Sequence, residues 1–147
     1  MDEVTKFDII KEFHPIIYKN RSYGTMLRNL RLKNNLTIKE LSKKINISST
    51  TLMMVEKDKI QKPYYYWKLI CNCFNVNHIE YLKLYSLRED SIQEKLIKIR
   101  ALLGAKSWSE VGDYLGYSEG FIIDLLTRYT PKAKHLERIN AAIERLT

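Results

Sequence analysis

The stretch Leu36–Glu56 leaves this chain few folds to choose from, because it spells two short helices joined by a tight turn. Thr37 is a good N-cap, and Glu40 three residues on completes a capping box, in which side chains satisfy backbone N–H groups that a first helical turn leaves unpaired. Leu41 and Ile45 then sit four apart, on one face. Asn46 ends the helix, since asparagine tolerates the left-handed conformation found there. Ser48 caps a second helix that turns Leu52 and Val55 inward. Ser42 is small, as the crossing of two close helices requires. A helix pair of this kind can lay its second member in a DNA major groove.

Seventy residues further on the pattern returns. Ser107-Trp108-Ser109-Glu110 is a second capping box. Val111 and Leu115 stand where Leu41 and Ile45 stood, Gly112 for Ser42, Gly116 for Asn46, and Tyr117-Ser118 for Ile47-Ser48. Ile122 and Leu125 replace Leu52 and Val55. All of these share one offset, which reads as an internal repeat of two tandem units.

The flanking segments are helical too. Residues 1–22 form a lead-in arm, with Val4, Phe7, Ile10 and Phe13 at helical spacing until Pro15 interrupts them. The arm could pack on the core or bridge to a second subunit, and packing is favoured. Tyr23-Gly24 opens a helix with Met26, Leu27 and Leu30 apolar and with Arg28, Arg31 and Lys33 on its other face. Pro63 opens another, running through Trp67, Ile70, Phe74 and Val76. Asn77 caps a fifth, with Ile79, Leu82, Leu84 and Leu87. Ser86 to Asp90 marks a boundary. Ser91 then caps a helix that Gly104 ends, and Thr130-Pro131 opens the last one.

On these residues the chain resembles the lambda-repressor/Cro-like (XRE-type) helix-turn-helix family. The matching features are Leu36-Thr37 before the first helix, Glu40-Leu41-Ser42 within it, Ile47-Ser48 at the turn, and Leu52 with Val55-Glu56 in the second. The resemblance covers residues 23–87 and implies a compact five-helix fold. The expected class is all-α: two tandem helix-turn-helix bundles, a five-helix lambda-repressor-like unit at 23–88 and a four-helix unit at 91–147.

Charge is distributed to suit a polyanionic partner. The net charge is +8, yet residues 19–68 carry twelve Lys/Arg against three Asp/Glu, a net of +9. The excess therefore lies around the first helix pair, where a DNA-binding surface needs it. In such a family the second helix reads base edges with Ser49, Thr50, Thr51, Met53 and Met54. Hydroxyls bond to bases of either kind and methyl groups suit thymine, so readout should lean toward A·T pairs. Thr37, Lys39, Lys43, Lys44, Lys57, Lys59 and Lys62 are placed to meet phosphates. The second unit has Ser109, Asp113 and Thr127 for Lys39, Lys43 and Lys57, and Glu119, Gly120 and Asp124 for Ser49, Thr50 and Met54. Carboxylates repel phosphate, although Glu119 could accept from cytosine; Arg128, Lys132 and Lys134 remain as candidate contacts. The second unit is thus expected to be structural, dimerising or partner-binding.

Other chemistry finds little support. Cys71 and Cys73 point to different sides of a helix and have no second cluster for zinc. Gly116-Tyr117-Ser118-Glu119-Gly120 fits the G-x-S-x-G nucleophile elbow, but that elbow needs a preceding strand and a large sheet. His14, His78 and His135 are scattered, with no triad or metal spacing, and read as surface or helix-end histidines. Tyr64-Tyr65-Tyr66-Trp67 is contiguous on a helix, so its rings diverge; Trp67 and one Tyr belong to the core rather than to a base-stacking platform. No catalytic residue, cofactor or metal is expected. Met1–Asp8 is acidic and polar and no run approaches a membrane span, which points to a cytoplasmic protein.

The reading is a sequence-specific double-stranded DNA-binding regulator, a repressor of a bacterial, phage or mobile-element promoter. One such unit reads a half-site, so a homodimer on a palindrome is favoured over a tandem pseudo-dimer. Leu136, Ile139, Ile143 and Leu146 form a seam that could be the dimer interface or could close the second unit's own core. The alternative is a protein that acts through protein–protein contacts, with a partner on residues 91–147: an antirepressor, or a phage inhibitor of a host defence enzyme.

Overall fold

A computed structural model describes residues 22–147, and among these it is all helical, with nine α-helices, one 3-10 turn and no strand. The arm at 1–21, with His14, lies outside the described residues. By compactness the chain forms two units. One runs to Pro63 and includes Leu69–Asn75; the other holds Tyr64–Lys68 and Val76–Thr147.

The first unit contains α1 (Tyr23–Lys33), α2 (Ile38–Ile45), α3 (Ser49–Glu56) and the C-terminal half of α4 (Tyr64–Cys73). Its helix starts are capped by their neighbours in sequence. Ser22 Oγ accepts the Thr25 N–H at 3.1 Å, and Ser48 Oγ accepts that of Thr51 at 3.1 Å. The Thr37–Glu40 box closes in both directions, at 3.1 and 3.2 Å. Asn46 ends α2 with φ 55°. Leu27, Leu30, Leu41, Leu52, Val55 and Ile70 are buried.

Two contacts fix α3 against α1. A Cβ on Gly24 would lie 2.5 Å from the Glu56 carbonyl and 2.6 Å from that of Val55, so only glycine allows this approach. Arg31 is the second. It is not on the outer face with Arg28 and Lys33, as its spacing suggested, but buried. Its Nε and Nη2 donate to the two Glu56 carboxylate oxygens at 2.7 and 3.1 Å, and Nη1 donates to the Leu36 carbonyl at 2.7 Å. The forked geometry matches the carboxylate and makes burial of both charges tolerable.

The second unit contains α5 (His78–Leu82), the 3-10 turn Leu84–Ser86, α6 (Ile92–Leu103), α7 (Trp108–Leu115), α8 (Glu119–Thr127) and α9 (Ala133–Leu146). The helix capped by Asn77 is shorter than expected. It breaks at Lys83, with φ 54°. A straight helix points residues two apart to different sides, so it could not bury both Leu82 and Leu84; the break lets both turn inward. This segment is tied to α6. His78 Nε2 donates to the Leu102 carbonyl at 3.1 Å, and buried Lys98 donates to the Tyr85 carbonyl at 2.8 Å and to Glu89 Oε2 at 2.9 Å. The expected boundary at 88–91 therefore falls inside the second compact unit, although Ser91 caps α6 as anticipated, at 3.1 Å.

The two helix pairs match in their bounds. α2 and α7 start seventy residues apart and have equal length, and α3 and α8 also start seventy apart. Gly116 ends α7 with φ 79°, in the place of Asn46, and Ser118 Oγ accepts the Phe121 N–H at 3.1 Å. The preceding helices match one residue short of seventy. Ser22 and Ser91 cap them, Leu27 and Leu96 are buried, and left-handed Asn35 and Gly104 follow their ends. One extra residue in the loop before α7 makes up the difference.

The pairs also differ. The second capping box is only half formed. Ser107 accepts the Glu110 N–H at 3.4 Å, but the Glu110 carboxylate takes the N–H of Lys106, one residue further back, at 2.6 Å. The Ser42 hydroxyl bonds to the Ile47 carbonyl, whereas a Cβ on Gly112 would lie 2.5 Å from that of Tyr117. Helix α9 starts two residues after Pro131, and its N-terminus is held by His135, whose Nδ1 accepts the Lys132 N–H at 3.1 Å. Ile139 and Ile143 are buried in this unit's core with Leu96, Ile99, Val111, Leu115, Ile122 and Leu125, and Leu146 packs against it. Leu136 is half-buried. Among the described residues no helix is long and apolar enough to cross a membrane.

Candidate nucleic-acid interface

Helix α3 is short, capped at its start and anchored near its end, so its outer face is presented on a fixed frame. Leu52 and Val55 point inward and are buried. Thr50 is exposed, and Met53 and Met54 are each 41% exposed, a large apolar exposure for one short helix. Ser49 and Thr51 are half-buried rather than fully open. Thr51 is the third residue of a capped helix: its N–H goes to Ser48 Oγ, and its hydroxyl oxygen accepts the Ser48 O–H at 2.8 Å. Thr50 and the two methionines are therefore the open part of the expected reading surface.

The expected phosphate contacts lie on α2, at the end of α3 and in the loop after it. Lys39, Lys43 and Lys44 are exposed on α2, Lys57 caps the end of α3, and Lys59 and Lys62 follow in the loop. None of these six ammonium groups is held by an ion pair among the described residues, so all are available to phosphate oxygens. Thr37 is exposed; its hydroxyl accepts the Glu40 N–H and keeps its own proton for an outside acceptor.

In the second unit the same positions carry different chemistry. Glu119 and Gly120 are exposed. Asp124 holds Arg128, with Nε at 3.0 Å from its carboxylate. Phe121, in the place of Thr51, joins Tyr117, Tyr129 and His135 in a cluster of edge-on rings with centroids 4.9–6.0 Å apart. Most cations of this unit are engaged by their neighbours. Arg100 donates to the Lys106 carbonyl at 3.0 Å and lies over the Trp108 ring at 4.8 Å. Arg138 donates to the Leu115 carbonyl at 3.2 Å and lies over Tyr117 at 5.0 Å. Lys106 faces Tyr65, Arg145 faces Tyr114, and Lys95 donates to Asn140. Lys132 and Lys134 stay exposed at the head of α9.

The remaining candidates have structural roles. Trp67 and Tyr64 are buried and meet edge-on at 5.0 Å; Tyr65 and Tyr66 are half-buried. Burial pushes the Cys71 thiol up to about 12, which keeps it protonated and unreactive. His78 and His135 both stand in the first turn of a helix, but His78 is buried, not on the surface. Burial lowers the pKa of His78, the Lys68 charge adds to this, and the Leu102 carbonyl opposes it. His135 is also lowered, first by desolvation and then by Lys134, Lys132 and Arg138. Among the described residues no three His, Cys, Asp or Glu side chains gather as a metal site. Ser118 caps a helix and has no strand before it.

Residues 27–81 match the family model described as helix-turn-helix. The match spans α2 and α3 and runs on into α5. No curated protein and no solved structure matches the chain.

Proposed function

From residues 27–81 being a helix-turn-helix domain of the lambda-repressor/Cro-like (XRE) type, we infer that this DNA-binding regulator is a repressor that recognises a defined duplex site through α3. The observation that carries the reading is six exposed lysines on α2, at the end of α3 and in the loop after it, none in an ion pair among the described residues, beside an anchored α3 whose outward residues are Thr50, Met53 and Met54. Lysines supply affinity without sequence information, and the α3 side chains supply discrimination that leans toward A·T pairs. One α3 reads a half-site, so a homodimer on a palindromic promoter element of bacterial, phage or mobile-element origin is the preferred assembly.

Residues 91–147 are read as a second helix-turn-helix that has given up DNA for a structural or partner-binding role. The support is chemical: Asp124 occupies Arg128, and Arg100, Arg138 and Arg145 are engaged by carbonyls or rings. The same observation favours the alternative, in which the chain acts mainly through protein contacts.

Selection of bound duplexes from random DNA by the full chain, followed by footprinting and a salt titration, separates the two. The regulator reading expects one protected site and a steep loss of affinity with salt. Weak binding with no preferred sequence would refute it and leave the protein-contact reading.

A further inference from the structure

One cleft of the first unit is unused by the contacts described above. It opens between α1 and α3, beside the N-terminus of α2, with a volume of about 460 Å³, and is lined by Thr25, Arg28, Arg31, Ile38, Met53, Glu56 and Lys57. Two of its three cations are free. Arg31 is not: three of its nitrogens are committed to Glu56 and to the Leu36 carbonyl, and its charge is matched. Arg28 and Lys57 are exposed, and neither is engaged by an acceptor or ring among the described residues. The cleft shares Met53 and Lys57 with α3, the helix read as lying in the groove, so it borders the path of the DNA backbone.

The second unit supplies an internal comparison. Aligned on the caps Ser22 and Ser91, Arg28 corresponds to Ile97; aligned on Ser48 and Ser118, Glu56 corresponds to Leu126 and Lys57 to Thr127. Ile38 corresponds to Trp108, over which Arg100 lies at 4.8 Å. So where the α3 surface is replaced by carboxylates, the cleft loses its free cations and gains aliphatic and indole surface. Cleft and reading face change together, as parts of one binding surface would.

We propose that this cleft seats a phosphate of the DNA backbone, and that Arg28 on α1 is a DNA contact additional to the lysines of α2, α3 and the following loop. The guanidinium can meet two phosphate oxygens at once. Ile38 and Met53 line the side on which the sugar would rest. The proposal rests on the DNA-binding reading of the same surface.

The test uses the full chain, its selected duplex and an unrelated duplex, with affinity measured by fluorescence anisotropy across a range of salt. Replacing Arg28→Ala is expected to weaken both duplexes by the same factor, about 5- to 10-fold near 0.1 M salt, and to make the log–log salt slope shallower by about 0.9, the value of one phosphate contact. Arg28→Lys should recover most of the slope. The control Lys95→Ala, whose ammonium is already bound to Asn140, should change neither quantity. If wild type binds steeply and Arg28→Ala leaves the slope unchanged, the cleft assignment is overturned and the DNA-binding reading stands. If wild type shows no salt-dependent duplex binding, both fall.

Discussion

The Arg31–Glu56 pair makes a sharp prediction about what holds α3 in place. Both side chains are nearly buried, at 8% and 7% exposure, and the bond is bidentate. Replacing Glu56→Leu removes the counter-charge but fills a similar volume. Arg31 is then left in a buried site with only the Leu36 carbonyl as a partner. An uncompensated buried charge costs about 3–5 kcal/mol, a large part of the total stability of a small domain. Replacing both, Arg31→Met with Glu56→Leu, removes the charge as well, and should bring stability back to within about 1–2 kcal/mol of wild type. Leu126 already stands at the Glu56 position of the second unit, so the fold accommodates an apolar side chain there. The assay is urea unfolding by far-ultraviolet circular dichroism, with hydrogen exchange on α1 and α3 to localise the change. At a slope of about 1–3 kcal/mol per molar urea, the single variant should move the first-unit midpoint by about 2 M and the double variant by less than half of that. A single variant that costs under about 1 kcal/mol, or a double variant as unstable as the single, would refute the reasoning.

Three further outcomes are expected. Both His78 and His135 have folded-state pKa values lowered from 6.5, so the stability they contribute is present above that pH and lost as pH falls through it toward the folded values; tryptophan-monitored unfolding should show a decline as pH falls below 6.5 that flattens in His78→Gln/His135→Asn. Gly112→Ala should destabilise the second unit by about 1–3 kcal/mol, because its Cβ would lie 2.5 Å from the Tyr117 carbonyl; a neutral effect in thermal unfolding would mean that the turn yields freely. Lys43→Glu should weaken selected and unrelated duplexes alike, whereas Thr50→Ala should narrow the difference between them; the reverse pattern in competition binding would mean the backbone and base roles are misassigned.

What could be read in the sequence was what neighbours decide. The Thr37–Glu40 box, the left-handed Asn46, the Ser48 cap and the inward Leu52 and Val55 all depend on residues within four positions of one another, and each stands where its spacing put it. What could not be read depends on distant partners. Arg31 finds Glu56 twenty-five residues away, and helical periodicity carries no sign of the acid. One signal was there: Arg31 continues the stripe of Leu27 and Leu30, so a charge on a buried face asked for a counter-charge. Lys98 is the same case, a buried ammonium that binds a carbonyl and a carboxylate from the segment before α6. The break after α5 has a local sign as well: Leu82 and Leu84 stand two apart, a spacing that a single helical face cannot bury.

The two helix pairs separate what a fold needs from what a surface does. Caps, left-handed ends and buried aliphatics recur at matched positions, because the backbone groups they satisfy are the same in any such pair. The cations follow no such rule. The six lysines on α2, at the end of α3 and in the loop after it are exposed and have no ion-pair partner among the described residues, which is an electrostatic cost in the free protein that a polyanion relieves. In the second unit, Arg100, Arg128, Arg138 and Arg145 are bonded or stacked. Taking up a phosphate on any of these four would mean breaking an existing interaction, which leaves Lys132 and Lys134 as the exposed cations of the second surface. A count of basic residues therefore overstates the second surface: availability of the charge, not its presence, separates the two.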